Sequence, residues 1–158
     1  MQEQKGARNH GRGRCKTASL LGLTLGLVVG MGLSAEAKTH EVKMTAVETD
    51  IVIDGGGEKY AAWTFNGQFP GPVVRVTEGD VVNFTLTNPD TNKNPHAMDF
   101  HAAEVDFLTN YRAVNTGETH SFSFTAKKPG VFFYHCGAPP MIQHVARGMF
   151  GAVIVDPK

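Results

Sequence analysis

The feature that most constrains the fold is a series of short runs in which apolar and polar residues alternate. Residues 42–46 show this pattern, which has the period of a strand with one buried face. Turn-forming residues separate the runs, most clearly at 54–57 and 66–67. The predicted strands lie at 42–46, 51–53, 60–65, 73–76, 81–86, 121–125, 131–136 and 150–155.

No part of the chain after residue 40 sustains helical periodicity over ten residues. The pattern therefore predicts an all-β single domain, a Greek-key sandwich or barrel of seven or eight strands. Residues 77–80 are expected to form a hairpin turn between two of these strands, and 88–95 a surface loop. The large side chains expected in the core are Trp63, Phe65, Phe84, Phe122, Phe124, Phe132, Phe133 and Phe150.

The N-terminus differs in kind from the rest of the chain. Five basic residues precede the uncharged run at 20–33, which is too short for the roughly 20 apolar residues that a membrane-spanning helix needs. Ala35 and Ala37 follow as a small-x-small pair. Residues 1–37 are predicted to be a secretory signal peptide, and 38–158 a domain that is periplasmic or otherwise exported, with no membrane contact after cleavage. The alternative is an uncleaved membrane anchor.

Composition limits the function classes. Removing residues 1–37 takes five of the 15 basic and two of the 15 acidic residues, which leaves a net charge of −3. No basic face for nucleic acid is expected. Of the two cysteines only Cys136 remains, so an internal disulfide is excluded for an exported domain. Cys136 is then a buried inert thiol, an intermolecular bridge or a metal thiolate.

The spacing of metal-ligating residue types favours the third choice. His144 and Met149 follow Cys136 closely, and His96 lies upstream beside a predicted strand. One thiolate, two imidazoles and a weak thioether are the ligands that a blue-type copper centre uses. Zinc also binds Cys and His, but a single cysteine with a methionine weighs against it.

Several motifs give the chain a resemblance to a known family. The sequence resembles the cupredoxin superfamily and looks most like the first cupredoxin domain of copper-containing nitrite reductases, with one block shared with multicopper oxidases. The motifs that carry the resemblance lie at 62–72, 76–80, 88–92, 96–103, 133–136, 144–149 and 151–155.

The resemblance implies two copper sites. His96, Cys136, His144 and Met149 match the type 1 copper ligands, whereas Met141 matches a methionine that is not a ligand. His101 and His135 match two type 2 copper ligands, and Asp99 matches the acid that hydrogen-bonds substrate and moves protons. The loop at 137–143 is one residue shorter than the usual family pattern.

Two functions remain open from the sequence. The first is a type 1 copper carrier that passes single electrons to a redox partner protein, docking through residues 138–142 around His144. The second is an oligomeric enzyme, by analogy a homotrimer, that acts on nitrite or nitric oxide at an added type 2 copper. As a single domain it would take its third ligand from His40 or His120 of a neighbour or from another protein, or it would have none. We expect His120 to be solvated and His40 to be mobile.

Overall fold

The computed structural model describes residues 36–158. The predicted signal peptide at 1–37 lies outside the described residues except for its last two. In the described part no helix is long and apolar enough to cross a membrane. The elements are the strands β1 (Thr39–Val52), β2 (Lys59–Phe65), β3 (Val74–Thr77), β4 (Val81–Asn88), β5 (Asp99–Phe100), β6 (Glu118–Thr125), β7 (Gly130–His135) and β8 (Phe150–Asp156), with the short helices α1 (Phe107–Asn110) and α2 (Met141–Ala146).

The first sheet has the order β2-β1-β4-β6. Its long strand β1 joins two of the predicted runs and serves two partners. The first half pairs parallel with β4 and the second half antiparallel with β2. In β4 every second residue is buried, from Val82 to Asn88, as expected for a strand with one face on a core.

The second sheet has the order β3-β8-β7-β5. β8 lies between β3, to which it runs parallel, and β7, to which it runs antiparallel. The short strand β5 pairs with the end of β7, so that Asp99 lies opposite His135. Asp99, His101 and His135, three of the candidate metal-site residues, lie at this edge of the second sheet.

The core fills the space between the two sheets. Phe100 lies at its centre, with ring centroids 4.9 Å from Phe84, 5.3 Å from Phe124 and 5.5 Å from Tyr134. Burial of each such ring stabilises the fold by about 1.5–3 kcal/mol. The predicted all-β sandwich is confirmed, since both sheets face one aromatic core.

The predicted core is wrong at one aromatic position and incomplete at others. Phe133 is 41% exposed because Tyr134 takes the inward position on β7, and alternation turns Phe133 to the outer face. Phe132 and Phe150 are only partly buried. Phe100 and Tyr134, which were absent from the prediction, are fully buried.

The predicted hairpin at 77–80 is also wrong. β3 and β4 flank this turn but belong to different sheets, so the turn carries the chain across the sandwich. Asp80 holds the crossing, because its carboxylate accepts the backbone N–H groups of Lys38 at 2.8 Å and Thr77 at 2.9 Å. Gly79 adopts a φ of 90°, which favours glycine. The residues specify a bend but not which strands pair.

Candidate metal centre

The structure brings three of the predicted ligands together in the interior. His96 precedes β5, Cys136 follows β7, and His144 lies on α2, and all three are buried. Their candidate ligand atoms lie within 4.8 Å of one another. His144 Nδ1 is 3.2 Å from Cys136 Sγ and 3.3 Å from His96 Nδ1. We call these three residues the buried cluster.

The orientation of His96 follows from its hydrogen bonds. Its backbone N–H donates to Val114 at 3.1 Å and its carbonyl accepts from Val114 at 2.7 Å. On the ring, Nε2 lies 3.1 Å from Glu48 Oε1. Because a carboxylate only accepts, Nε2 carries the proton, and Nδ1 presents its lone pair to Cys136 and His144.

Burial keeps the cluster neutral in the metal-free protein. Desolvation raises the pKa of the Cys136 thiol to about 11, although backbone N–H groups of Ala97 and Ala138 oppose the shift. Desolvation, with His96 nearby, lowers the pKa of His144 to about 4. Desolvation also lowers the pKa of His96. At neutral pH both imidazoles therefore have free lone pairs, while the thiol must lose its proton to become a strong ligand.

Met149, the fourth predicted ligand, is fully buried in the same apolar cluster as Cys136. The Cys136 N–H donates to the Met149 carbonyl at 3.0 Å, and the Met149 N–H donates to the His144 carbonyl at 3.1 Å. The Cys136 sulfur accepts the Ala97 N–H at 3.2 Å. The segments that carry the predicted ligands are therefore joined by hydrogen bonds from backbone N–H groups.

Trp63 of β2 forms one wall of the buried cluster. Its ring centroid lies 4.7 Å from that of His144 and 5.6 Å from that of His96. The guanidinium of Arg147 covers the indole, with its carbon 4.8 Å from the ring centroid. The sequence predicted Trp63 as core, and it is buried, but its neighbours are the candidate ligands.

The chemistry of the buried cluster fits copper. A thiol and two imidazoles converge within 4.8 Å, and Met149 is buried in the same hydrophobic core as Cys136. Soft sulfur ligands with imidazole suit copper in both common oxidation states. Copper, when bound to such a set, supplies one-electron redox chemistry.

A second group of three lies at the edge of the second sheet. His101 Nε2 is 3.1 Å from His135 Nε2, and Asp99 Oδ2 is 4.0 Å from His135 Nε2. His135 is buried, Asp99 half-buried and His101 exposed. His135 Nδ1 donates to the Cys136 carbonyl at 3.1 Å, which leaves Nε2 free to act as a ligand. We call Asp99, His101 and His135 the rim cluster.

His40 and His120, the histidines expected to serve a neighbouring chain, lie outside both clusters. His40 lies within β1 with Nε2 2.7 Å from Asp80 Oδ2, so the expectation of a mobile segment is wrong. The expectation that His120 is solvated is only partly met, since Nε2 lies 3.0 Å from the Asn110 carbonyl. Within residues 36–158, the groups of three or more Cys, His, Asp and Glu placed to hold a metal are the buried and rim clusters.

Comparison with known proteins agrees with this fold. A copper nitrite reductase from Nitrosomonas europaea superposes with a TM-score of 0.75 and 59% identity, over 76% of this chain and 42% of that one. A blue copper oxidase from the same organism gives 0.67 and 33%, over 77% and 39%. The fold thus defines the chain as a cupredoxin-like domain.

The sequence comparison identifies the family. Residues 46–158 match the profile of the Multicopper oxidase family, and the chain belongs to that family. A copper-containing nitrite reductase from Neisseria meningitidis is 42% identical over 120 residues, which are 74% of this chain and 30% of that protein. The chain spans about a third of the length of the curated relatives it matches. The predicted resemblance and the prediction of a copper cofactor are confirmed at the level of the family.

Proposed function

We propose that the chain is a copper protein that exchanges single electrons through a type 1 centre at His96, Cys136, His144 and Met149. The observation that carries this proposal is the buried cluster, whose three ligand atoms converge within 4.8 Å. Met149 is buried in the same core, and its thioether as fourth ligand would favour copper over zinc, because a thioether is a poor ligand for zinc.

In electron transfer the protein would keep the ligand positions fixed and exclude water from the ligands. Electron exchange is fast when the ligand positions change little between the two oxidation states. The Ala97 N–H on the Cys136 sulfur, and the hydrogen bonds linking Met149 to Cys136 and His144, favour such constancy. Burial of the three ligands excludes water from the set.

A redox partner protein would dock on the ligand loop. Met141 and Ile142, which are 51% and 75% exposed, lie on α2 with His144. Pro139 and Pro140 are exposed beside them, whereas Ala138 is buried and drops out of the predicted surface. A small apolar surface next to a redox centre suits a weak and rapidly exchanging complex.

The rim cluster supports a second candidate function, an added type 2 copper that acts on nitrite or nitric oxide. Two imidazoles and a carboxylate at a solvent-facing edge leave room for a small ligand. Reduction of nitrite to nitric oxide and water consumes one electron and two protons, and Asp99 lies beside His135 to hold a proton. The direct peptide link from His135 to Cys136 would connect the two centres.

A neighbouring chain would complete that second site. Phe133 lies next to both rim histidines, with ring centroids 5.8 Å from His101 and 5.3 Å from His135. It stacks on Phe150 and flanks an apolar groove of about 300 Å³. An apolar face beside an incomplete ligand set supports association between copies, as a homotrimer or with another protein that supplies the third ligand.

Copper counting with electron paramagnetic resonance on the protein tests both functions. The carrier predicts one copper per chain, a type 1 signal and intense visible absorption. The enzyme predicts close to two coppers, an additional type 2 signal and the mass of an oligomer. A copper-loaded protein with neither intense absorption nor a type 1 signal would contradict the main proposal.

Export is a separate part of the proposal. The basic N-terminus, short apolar run and Ala35-x-Ala37 pattern support cleavage after residue 37 and a periplasmic domain at 38–158. N-terminal sequencing of the protein from the periplasmic fraction should begin at Lys38. Recovery of the uncleaved chain with membranes would contradict it.

A further inference from the structure

Glu48 is an acidic residue on the inward face of β1. Met44 and Ala46 precede it at two-residue spacing and are both buried. Glu48 continues this face toward the buried cluster, and its side chain is only 14% exposed. A carboxylate in such a position needs donors, since an unpaired buried charge is costly.

Four donors meet one oxygen of this carboxylate. Oε1 of Glu48 lies 2.9 Å from the Asn94 backbone nitrogen, 3.1 Å from Asn94 Nδ2 and 3.2 Å from the Lys93 nitrogen. The fourth donor is His96 Nε2 at 3.1 Å. These four hydrogen bonds favour the ionised form of the Glu48 carboxyl group. A negative charge therefore lies one imidazole ring away from the candidate metal position.

Two buried asparagines hold the loop that carries these donors. Asn92 donates to the Ala46 carbonyl at 2.9 Å and accepts the Glu48 N–H at 3.2 Å. Asn88 accepts from Asn92 at 2.8 Å and donates to the Asn94 carbonyl at 3.0 Å. These bonds fix the loop to the backbone of β1, so that Lys93 and Asn94 present their donors to the Glu48 carboxylate beside His96.

The charge of Glu48 also affects the total charge of a copper site at the buried cluster. A divalent copper, the Cys136 thiolate and the Glu48 carboxylate sum to zero. After one-electron reduction the same groups sum to −1 in a buried site. A fixed negative charge in a poorly solvated interior therefore favours the oxidised metal.

We propose that Glu48 is a positioning residue that holds His96 in the Nε2–H tautomer and that its charge lowers the reduction potential of the centre. This inference rests on the proposed type 1 site. The hydrogen bond through His96 performs the first task and the carboxylate charge the second. The two tasks are separable by substitution.

The experiment uses Glu48→Gln, Glu48→Ala and a matched control, Glu58→Gln. Glutamine keeps an acceptor oxygen for His96 but removes the charge, whereas alanine removes both. Glu58 is an exposed residue of the turn between β1 and β2, so its substitution changes the net charge equally. The readouts are the reduction potential of the copper-loaded proteins and the ¹⁵N chemical shifts of His96 in the metal-free proteins.

We expect Glu48→Gln to shift the equilibrium toward the reduced form at least tenfold, which is 59 mV upward for a one-electron couple. Glu58→Gln should shift it less than about twofold, since exposed charge is screened. His96 should remain the Nε2–H tautomer in Glu48→Gln and lose this preference in Glu48→Ala.

Two results would overturn the proposal. The first is a potential of Glu48→Gln equal to that of Glu58→Gln, and the second is an unchanged His96 tautomer in Glu48→Ala. If the wild-type protein lacks the type 1 signal, the proposed function fails. The tautomer in the metal-free protein then still decides whether Glu48 positions His96.

Discussion

The buried cluster and the rim cluster meet at the end of β7 but offer a metal opposite surroundings. Cys136 and His135 are consecutive, and alternation directs them to different environments. The buried cluster contains sulfur, is sealed from water and is walled by Trp63. The rim cluster has only nitrogen and oxygen donors, and His101 is exposed. Two consecutive residues at the end of β7 therefore belong to different sites. Cys136 belongs to a closed site suited to electron exchange, and His135 to an open site suited to binding a small ligand.

The largest effect is expected from removing Cys136, because only the buried cluster has a sulfur ligand. Cys136→Ala should abolish the intense visible absorption, since the thiolate is its source, and should remove most copper from the buried cluster. Any copper at the rim cluster should stay, because none of its donors is changed. Visible spectra and metal content measure both outcomes. Intense absorption that persists in this variant would contradict the type 1 assignment.

The reciprocal substitution is His101→Ala. It removes one of the two rim imidazoles, so any second equivalent of copper should be lost together with any type 2 signal. The absorption of the buried cluster should not change. A variant that keeps both its colour and the full wild-type copper content would show that the rim cluster holds no copper.

Acid should destabilise the metal-free protein through the buried cluster. His144 has a folded pKa of about 4, below the ordinary value of 6.5, so the unfolded chain gains its proton first as the pH falls. Stability is then lost between pH 6.5 and 4, by up to about 1.4 kcal/mol per pH unit from this group. Urea unfolding across this range measures the slope, and His144→Gln should flatten it. Parallel profiles for the two proteins would show that His144 is not desolvated.

The smallest effect is expected at the face next to the rim cluster. Phe133→Ser should change the free energy of unfolding by less than about 1 kcal/mol, since the ring lies on the outer face. It should weaken association between copies and lower metal retention at the rim cluster. Phe100→Ala, by contrast, should cost about 3–5 kcal/mol. Sedimentation and thermal unfolding distinguish these cases, and unchanged association would argue against the proposed interface.

Strand positions were predictable because alternation and turn residues are local signals. The run at 60–65 falls within β2 (Lys59–Phe65), and 150–155 falls within β8. Pairing was not predictable at 77–80, because a turn does not specify the sheet that the next strand joins. The orientation of Phe133 was not predictable either. Three consecutive aromatic residues at 132–134 do not show which alternate positions of the strand face the core.

The candidate ligands were predictable from residue type and spacing, but the residues that hold them were not. From its residue type alone, Glu48 would be taken for a solvated strand residue. Its two-residue spacing from the buried Met44 and Ala46 places it on the inward face instead. Asn88 and Asn92 have the composition of a surface loop, although both are buried. An acid on the inward phase of a strand is the signal that would have identified Glu48.

The hydrogen bond from Cys136 to Met149 closes the base of the ligand loop, directly beyond the pairing of His135 with Phe150. The loop between them is therefore an insert in a hairpin of β7 and β8, and it is anchored to β2 where the Trp63 N–H donates to the Arg147 carbonyl at 2.9 Å. Changes in its length or composition need not disturb the register of either strand. Three of the four proposed ligands lie on this insert or at its ends, so substitutions there would change the redox properties of the centre without changing the pairing of the strands.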